Sequence, residues 1–329
     1  MNLSPERNSM LDVRTAEYVM LNGSKKELVK QIGDGSIIKR FDMTPFPVGG
    51  RDIICPHFLE LKWATGCPFD CAWCYLRGTM RHYPRRKNPT YKSREKVRSH
   101  LQRFFRVDYP AEKEVLNTGE VADSLMSEHT NTPFSRFVVP LFETQQRHKV
   151  LFLTKSPWVD NLLKMNPHNQ VIVSFSLNSE AVANRWERAP SVAKRIEAAA
   201  ETFEAGYETR IRIDPIVPYP ETEWPKHYRR LIDNIFSNLY PERITLGSLR
   251  GLQSTINEAV DKSWVDCLRE PSNWGKRMPS ELRYRTFEVI LDHLEEHHGY
   301  SNVSLCKEPL MMWEKLGLSW KNCACNCVW

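Results

Sequence analysis

Residues 65–77 read TGCPFDCAWCYLR, in which three cysteines fall within eight positions: Cys67, Cys71 and Cys74. Three thiolates on one loop can bind three irons of a cubane [4Fe-4S] cluster and leave the fourth iron open to another ligand. A zinc knot is the alternative, but it needs a fourth thiolate or imidazole at knuckle spacing. The nearest candidates stand at other spacings: Cys55, His57 and His82. The stretch therefore favours a cluster with an open iron.

The composition fits one large α/β domain, or one domain with extensions, because 329 residues with 41% hydrophobic content can bury a full core. The chain starts MNLSPER, with no apolar segment behind a charged start, and no stretch is long and apolar enough to span a membrane. We therefore expect a cytoplasmic protein with no membrane partner. Seven of the nine cysteines form two groups, which in a reducing cytosol indicates metal or redox chemistry.

Short β-rich runs alternate with helical patterns along most of the chain. The predicted strands cover residues 58–63, 115–117, 150–154, 171–176, 210–213 and 244–246. The predicted helices cover residues 94–105, 133–146, 159–165, 180–205 with a break at 189–191, 223–239 and 279–298. Six such units predict a parallel sheet curled into a partial (β/α)6 TIM-like barrel, whose active-site loops meet at one rim. The predicted division is an N-terminal extension (1–54), the barrel (55–252) and a C-terminal extension (253–329).

Four blocks that follow the later strands carry a family resemblance. They read NTGEVADSL at 117–125, LTKS at 153–156, SFSLNS at 174–179 and RIDPI at 212–216. With the cysteine loop, they resemble the spore photoproduct lyase family, a branch of the radical S-adenosylmethionine enzymes, over residues 58–250. The resemblance implies that a [4Fe-4S] cluster reductively cleaves S-adenosylmethionine to a 5′-deoxyadenosyl radical, which abstracts hydrogen from a substrate. It also implies a flavodoxin- or ferredoxin-type electron donor.

The resemblance also places cofactor contacts by motif. Lys155 after the third strand and Ser176 on the fourth match positions that contact S-adenosylmethionine, where an ammonium and a hydroxyl can bond its carboxylate. A solvated surface lysine and a satisfied core hydroxyl are the alternatives for these two residues. Gly119 and Glu120 match a glycine-glutamate element that accepts bonds from the ammonium of the cofactor.

Trp73 and Tyr75 flank the last loop cysteine, where the family commonly has an aromatic residue beside adenine and a catalytic tyrosine linked to radical transfer. The chain departs from the family after the second strand. The repair lyases carry a hydrogen-donating cysteine there, whereas residues 117–120 read NTGE and no cysteine occurs between Cys74 and Cys267. The resemblance therefore implies the same first step, which forms the 5′-deoxyadenosyl radical. The hydrogen atom that ends the reaction must come from a different donor.

Four cysteines lie near the carboxyl terminus, in SLCKE at 304–308 and NCACNCVW at 322–329. One hypothesis is a second metal site formed by Cys306, Cys325 and Cys327, with Cys323 as the fourth ligand or a bystander. Another is that a tail thiol, Cys325 or Cys327, folds over the barrel mouth and acts as the catalytic hydrogen donor. The third is a flexible, reduced tail.

Positive charge is concentrated beside the cysteine loop. Residues 77–106 contain eleven Lys or Arg against one acid, Glu95, in a chain whose net charge is +6. Such a segment, with Tyr83 and Tyr91 interspersed, suits a phosphate-bearing substrate such as DNA, RNA or a nucleotide. Two other functions stay open: a metal-organised nucleic-acid-binding module, and an iron-sulfur redox sensor without S-adenosylmethionine chemistry.

Overall fold

The computed structural model describes residues 11–108, 112–166, 169–272 and 275–329. The strands are β1 Val13–Val19, β2 Lys25–Ile32, β3 Ile38–Phe41, β4 Phe58–Leu61, β5 Ala64–Thr65, β6 Thr90–Tyr91, β7 Val115–Asn117, β8 Lys149–Thr154, β9 Val171–Leu177, β10 Glu208–Ile216, β11 Ile244–Ser248, β12 Arg250–Leu252, β13 Glu270–Ser272, β14 Gly275–Arg277 and β15 Val303–Leu305. The helices are α1 Leu76–Thr79, α2 Arg94–Phe105, α3 Ser135–Phe142, α4 Asp160–Leu163, α5 Glu180–Trp186, α6 Val192–Glu204, α7 Trp224–Phe236, α8 Gln253–Glu258, α9 Ser280–His298 and α10 Leu310–Lys315. Two short 3-10 helices cover Val265–Cys267 and Trp320–Asn322.

Within the described ranges, the main sheet has ten strands in the order β1-β2-β3-β4-β7-β8-β9-β10-β11-β15. The seven strands from β4 to β15 pair in parallel. Six of them are the predicted strands, so the α/β partial-barrel prediction is confirmed. All seven side chains of β9 are buried, as expected for a parallel strand with both faces covered.

The helices also follow the sequence pattern. α2 has the predicted bounds, and the predicted break at 189–191 separates α5 from α6. The Ser191 side chain caps α6 by accepting a hydrogen bond from the backbone N–H of Lys194. The predicted helices at 133–146 and 159–165 are shorter in the structure, at Ser135–Phe142 and Asp160–Leu163.

Both predicted extensions contribute to the sheet. β1, β2 and β3 pair antiparallel, and β3 pairs antiparallel with the first barrel strand, β4. On the other side, β15 adds a seventh parallel strand next to β11. The sheet hydrogen bonds join each extension to the barrel, so the structure does not separate the three predicted parts. The domain boundaries at 54 and 252 therefore stay predictions.

The carboxyl-terminal tail is docked, so the flexible-tail hypothesis is wrong. Asn326 is fully buried and its Nδ2 donates to Ser174 Oγ at 2.6 Å and to the Ile211 carbonyl at 3.0 Å. Its Oδ1 accepts from Thr245 Oγ1 at 2.7 Å. Arg210 donates to the carbonyls of Asn326 and Val328 at 2.9 and 2.7 Å. The tail is therefore held against β9, β10 and β11.

In the described part of the chain, the helices are too short or too polar for any of them to cross a membrane.

We expect Asn326→Ala to lower the free energy of unfolding by about 3 kcal/mol, because it leaves several buried polar groups without partners. Urea denaturation measures the change. Asn322→Ala, at an exposed position four residues earlier, is the control and should change stability by less than about 0.5 kcal/mol. Equal effects of the two substitutions would contradict the anchoring role of Asn326.

Candidate active site

A cavity of about 340 Å³ lies at the carboxyl ends of the parallel strands. All the predicted cofactor residues and Tyr75 line it: Trp73, Tyr75, Gly119, Glu120, Lys155 and Ser176. Six cysteines line it as well: Cys55, Cys71, Cys74, Cys306, Cys325 and Cys327. Of the predicted site residues, Cys67 and Cys323 lie outside the lining. The fold thus brings the two separate cysteine groups of the sequence to one cavity.

Backbone contacts and ion pairs fix the cysteine loop. Gly66 has φ +89°, and a Cβ there would stand 2.5 Å from the Lys87 carbonyl oxygen, so the position requires glycine. The Cys67 N–H donates to that same carbonyl at 2.7 Å. Asp70 pairs with Lys87 at 2.9 Å and with Arg77. Two residues of the basic segment therefore serve to hold the loop.

The loop cysteines do not form a preformed site for a single zinc ion. All three thiols are free of disulfides, and Cys71 and Cys74 face the cavity. In the described ranges, one group of three metal-ligating side chains has its ligand atoms within 4.8 Å of one another: Asp233, His293 and His298. The three loop thiols do not come that close together. Tetrahedral zinc, with Zn–S bonds of about 2.3 Å, needs sulfurs about 3.8 Å apart. Thiolates that bind separate irons of a cubane stand farther apart.

Lys155 is held in the cavity wall by a buried carboxylate. Its Nζ donates to Glu187 Oε1 at 2.6 Å, and Arg195 donates to Glu187 Oε2 at 2.7 Å. Burial alone would raise the pKa of Glu187, but the charges of Lys155 and Arg195 together hold that pKa below its ordinary value. Since the Lys155 side chain is 16% exposed, the surface-lysine alternative is wrong.

Gly119 and Glu120 lie where the loop after β7 passes β8. A Cβ on Gly119 would stand 2.6 Å from Leu153 Cβ, so only glycine allows this approach. Two polar residues of the same loop tie it to β8: Asp123 Oδ2 accepts from the Lys155 N–H at 2.7 Å, and Ser124 Oγ accepts from the Leu153 N–H at 2.8 Å. Glu120 and Lys155 both lie on the cavity wall.

The other predicted residues present polar and aromatic groups to the cavity. Ser176 is 7% exposed and points there from β9. The Tyr75 hydroxyl is buried without a hydrogen-bond partner in the described structure, which is unusual for a buried polar atom. Trp73 packs on Trp186 with ring centroids 5.9 Å apart. Polar and aromatic groups from β9 and the cysteine loop therefore meet at this part of the cavity wall.

The structure adds a charged group to which the sequence interpretation gave no role. Arg250 makes a two-point contact with Asp214 at 3.1 and 3.2 Å, and Arg212 donates to Asp214 Oδ2 at 2.7 Å. Burial would raise the pKa of Asp214, but the two guanidinium groups hold that pKa far below its ordinary value. Gly247 leaves space for this carboxylate, because a Cβ there would stand 2.5 Å from Asp214 Oδ1. The cluster keeps one net positive charge on the cavity wall.

The same arginines contact two thiols. Arg212 Nη2 lies 3.0 Å from Cys306 Sγ and its Nη1 lies 3.8 Å from Cys327 Sγ. Arg250 Nη2 lies 3.4 Å from Cys306 Sγ. Asn117, at the end of β7, donates to Cys327 Sγ at 3.6 Å. The tail thiols are therefore at the cavity, as both the metal-site and hydrogen-donor hypotheses require.

The basic segment, residues 77–106, does not line the cavity, although its positive charge beside the cysteine loop suits a phosphate-bearing substrate. Lys96 pairs with Asp34 at 3.1 Å, and two arginines pack on the Phe137 ring. Four exposed side chains follow α1 directly: Arg81, Tyr83, Arg85 and Arg86. Farther along the segment, Tyr91, Arg94, Arg98 and Arg106 are exposed as well, so the basic and aromatic surface extends from α1 to the end of α2.

Comparisons with known proteins agree with this geometry. Residues 59–247, more than half of the chain, match the family model for spore photoproduct lyase. The chain is 28% identical over 176 residues to the spore photoproduct lyase of Bacillus subtilis (strain 168), which covers 53% of this chain and 50% of that protein. The chain thus spans about half the length of that curated relative.

Two further comparisons extend over more of the chain. The spore photoproduct lyase of Geobacillus sp. (strain Y412MC61) is 25% identical over 237 residues, with 69% of this chain and 68% of that protein covered. A solved spore photoproduct lyase complexed with dinucleoside spore photoproduct has a TM-score of 0.63 at 18% identity, with 75% of both chains covered. At that identity the structural likeness establishes a common fold.

We expect Glu187→Gln to lower the free energy of unfolding by about 3 kcal/mol at pH 7, because it leaves two cations without their buried counter-charge. The folded-state pKa of Glu187 is below the unfolded value of about 4.3, so this stabilisation is present above that pH and is lost as pH falls further. Urea denaturation at several pH values should show the difference between the two proteins narrowing below about pH 4.

Glu197→Gln, at an exposed position on α6, is the matched control for the loss of one carboxylate. A Glu187→Gln effect no larger than that of this control, or one that does not depend on pH, would show that the ion pairs of Glu187 contribute little.

Proposed function

The chain belongs to the spore photoproduct lyase family of radical S-adenosylmethionine enzymes, and we propose on this premise that it cleaves S-adenosylmethionine to start hydrogen abstraction from a nucleotide-type substrate. One observation carries the proposal. A single cavity is lined by two of the loop thiols and by all six residues that the motifs assign to the cofactor and its radical chemistry. Convergence of six residues from four separate segments favours a common ligand over six unrelated structural roles.

Cys67, Cys71 and Cys74 would hold the [4Fe-4S] cluster, which supplies the electron that splits bound S-adenosylmethionine into methionine and a 5′-deoxyadenosyl radical. The protein keeps the loop rigid through Gly66 and the Asp70 ion pairs. Burial raises the pKa of the Cys71 thiol to about 12, so cluster binding must displace a proton. A flavodoxin- or ferredoxin-type protein would deliver the electron.

The cavity wall offers complementary groups for the carboxylate, the ammonium and the adenine of S-adenosylmethionine. The Lys155 ammonium and the Ser176 hydroxyl would bind its carboxylate, and the Glu120 carboxylate would accept hydrogen bonds from its ammonium. Trp73 would pack against the adenine ring. The ion pair with Glu187 holds the Lys155 ammonium at the cavity wall, so the ammonium is positioned before the cofactor arrives. Tyr75, whose hydroxyl has no hydrogen-bond partner in the described structure, lines the same space and would take part in hydrogen transfer.

The substrate proposal is a nucleic acid or nucleotide. The Arg212–Asp214–Arg250 group keeps a net positive charge on the cavity wall, which favours an anionic substrate. Outside the cavity, Arg81, Arg85 and Arg86 with Tyr83 can bind phosphates and stack on bases. A structural neighbour is described as complexed with dinucleoside spore photoproduct, which supports this substrate class.

The first test is the release of 5′-deoxyadenosine. Anaerobically purified protein, reduced with dithionite in the presence of S-adenosylmethionine, should release it, and Cys71→Ala should lower the release to background because the cluster is lost. Mass spectrometry measures the product, with Cys267→Ala outside the cavity as the control. A cluster without cleavage would favour a redox sensor, and zinc without labile sulfide would favour a metal-organised binding module.

A second test addresses the exposed basic surface. We expect the double substitution Arg85→Glu and Arg86→Glu to weaken binding of a single-stranded DNA oligonucleotide about tenfold and to reduce the salt dependence of binding, since fewer counterions are released. Fluorescence anisotropy at two salt concentrations measures both effects. The double substitution Lys30→Glu and Lys39→Glu changes the net charge equally at exposed positions on β2 and β3. If this control weakens binding equally, the effect reflects net charge and not a site.

A further inference from the structure

We propose that Cys55, Cys306, Cys325 and Cys327 bind a second iron-sulfur cluster in the same cavity, separate from the cluster loop. The inference goes beyond the proposed S-adenosylmethionine chemistry, because the second site would exist whether or not the first cluster cleaves the cofactor. It also changes the ligand set expected from the sequence. Cys55, which precedes β4, takes the place that the sequence interpretation considered for Cys323.

The first support is convergence. The four thiols come from three separate segments, before β4, after β15 and in the tail, yet all of them line one cavity. Cys325 and Cys327 also pack in one cluster with Phe58, against which both Cys55 and Cys323 are packed. Cys323 contacts Cys325 but lies outside the cavity lining. Four thiols in one cavity match the number of protein ligands of an iron-sulfur cluster.

The second support is the direction of the hydrogen bonds. Arg212, Arg250 and Asn117 together direct four N–H groups to Cys306 and Cys327, at 3.0–3.8 Å from sulfur. Sulfur is the acceptor in all four contacts. Thiolate ligands of a metal need such donors, which compensate the negative charge and tune the reduction potential. A hydrogen-atom donor needs only one S–H group and no guanidinium partner.

The third support is that the two tail thiols are held in place. They flank Asn326, whose side chain is bonded to Ser174, Ile211 and Thr245. Arg243 donates to the Cys325 carbonyl at 3.2 Å. The backbone of the tail is thus fixed before any metal binds, which is the condition for a preformed ligand set.

The four sulfurs of the proposed second site are too far apart to form a preformed site for a single metal ion. In the described ranges, no three of these sulfurs lie within 4.8 Å of one another, since the group that meets this limit is Asp233, His293 and His298. A single zinc ion would require all of them closer. In an iron-sulfur cluster only ligands of the same iron stand close together, as Cys325 and Cys327 do through their side-chain contact. On ligation each thiol loses one proton to solvent, and its sulfur keeps its oxidation state.

The test uses the full chain, reconstituted without oxygen with Fe²⁺ and sulfide. A loop variant, Cys67→Ala with Cys71→Ala and Cys74→Ala, should keep about half of the iron and labile sulfide of the wild type and an electron paramagnetic resonance signal after reduction. Adding Cys55→Ser to the loop variant should lower iron and sulfide further, without disturbing the tail. Adding Cys267→Ser instead is the matched control and should leave both unchanged.

The outcomes separate this proposal from the proposed function. A loop variant that binds neither iron nor sulfide overturns the second cluster, and so does a variant that binds zinc without sulfide. If Cys55→Ser lowers metal content no more than Cys267→Ser, the ligand assignment is wrong and the tail thiols are left as hydrogen donors. If the wild type contains no more iron and sulfide than the loop variant, the cysteine loop does not bind a cluster. The proposed function is then wrong, whereas the second cluster is supported.

Discussion

The polar interior of the barrel determines where the carboxyl terminus must lie. Ser174, Thr245 and the Ile211 carbonyl face inward from three neighbouring parallel strands, and each of them bonds to Asn326. Leaving such groups buried without partners would cost about 1–3 kcal/mol each, so the interior binds the tail strongly. Because Cys325 and Cys327 flank Asn326, the contact that completes the barrel also brings both thiols to the cavity.

Two buried carboxylates organise the charges around that cavity. Glu187 holds Lys155 and Arg195, and Asp214 holds Arg212 and Arg250. Each carboxylate faces two cations, so each group retains one positive charge after pairing. A charge that is held by a buried partner does not need to reorganise when a ligand binds. The wall is therefore prepared for anionic groups, whether of a cofactor carboxylate or of a substrate phosphate.

The features that sequence reasoning predicted are local ones. Buried parallel strands appear as short apolar runs, as in VIVSFSL at β9, and the cysteine loop and Lys155 stand in short motifs. The amino-terminal strands were not predicted, because β1 and β2 are rich in charged residues and become strands through pairing with each other and with β3. The roles of Cys55, Arg250 and Asn326 depend on contacts with segments distant in sequence, so neither periodicity nor motif could reveal them.

The contact between Asn117 and Cys327 connects the family resemblance with the chain's main departure from it. The loop after the second barrel strand carries no cysteine here, yet Asn117 at the end of that strand donates a hydrogen bond to the Cys327 sulfur. A thiol therefore stands beside the second strand, although a different part of the chain provides it. Because this thiol shares Arg212 with Cys306, it belongs to a group of sulfurs, and a single hydrogen donor needs no such group. The guanidinium group and the second sulfur beside Cys327 are the surroundings that the proposed second cluster requires.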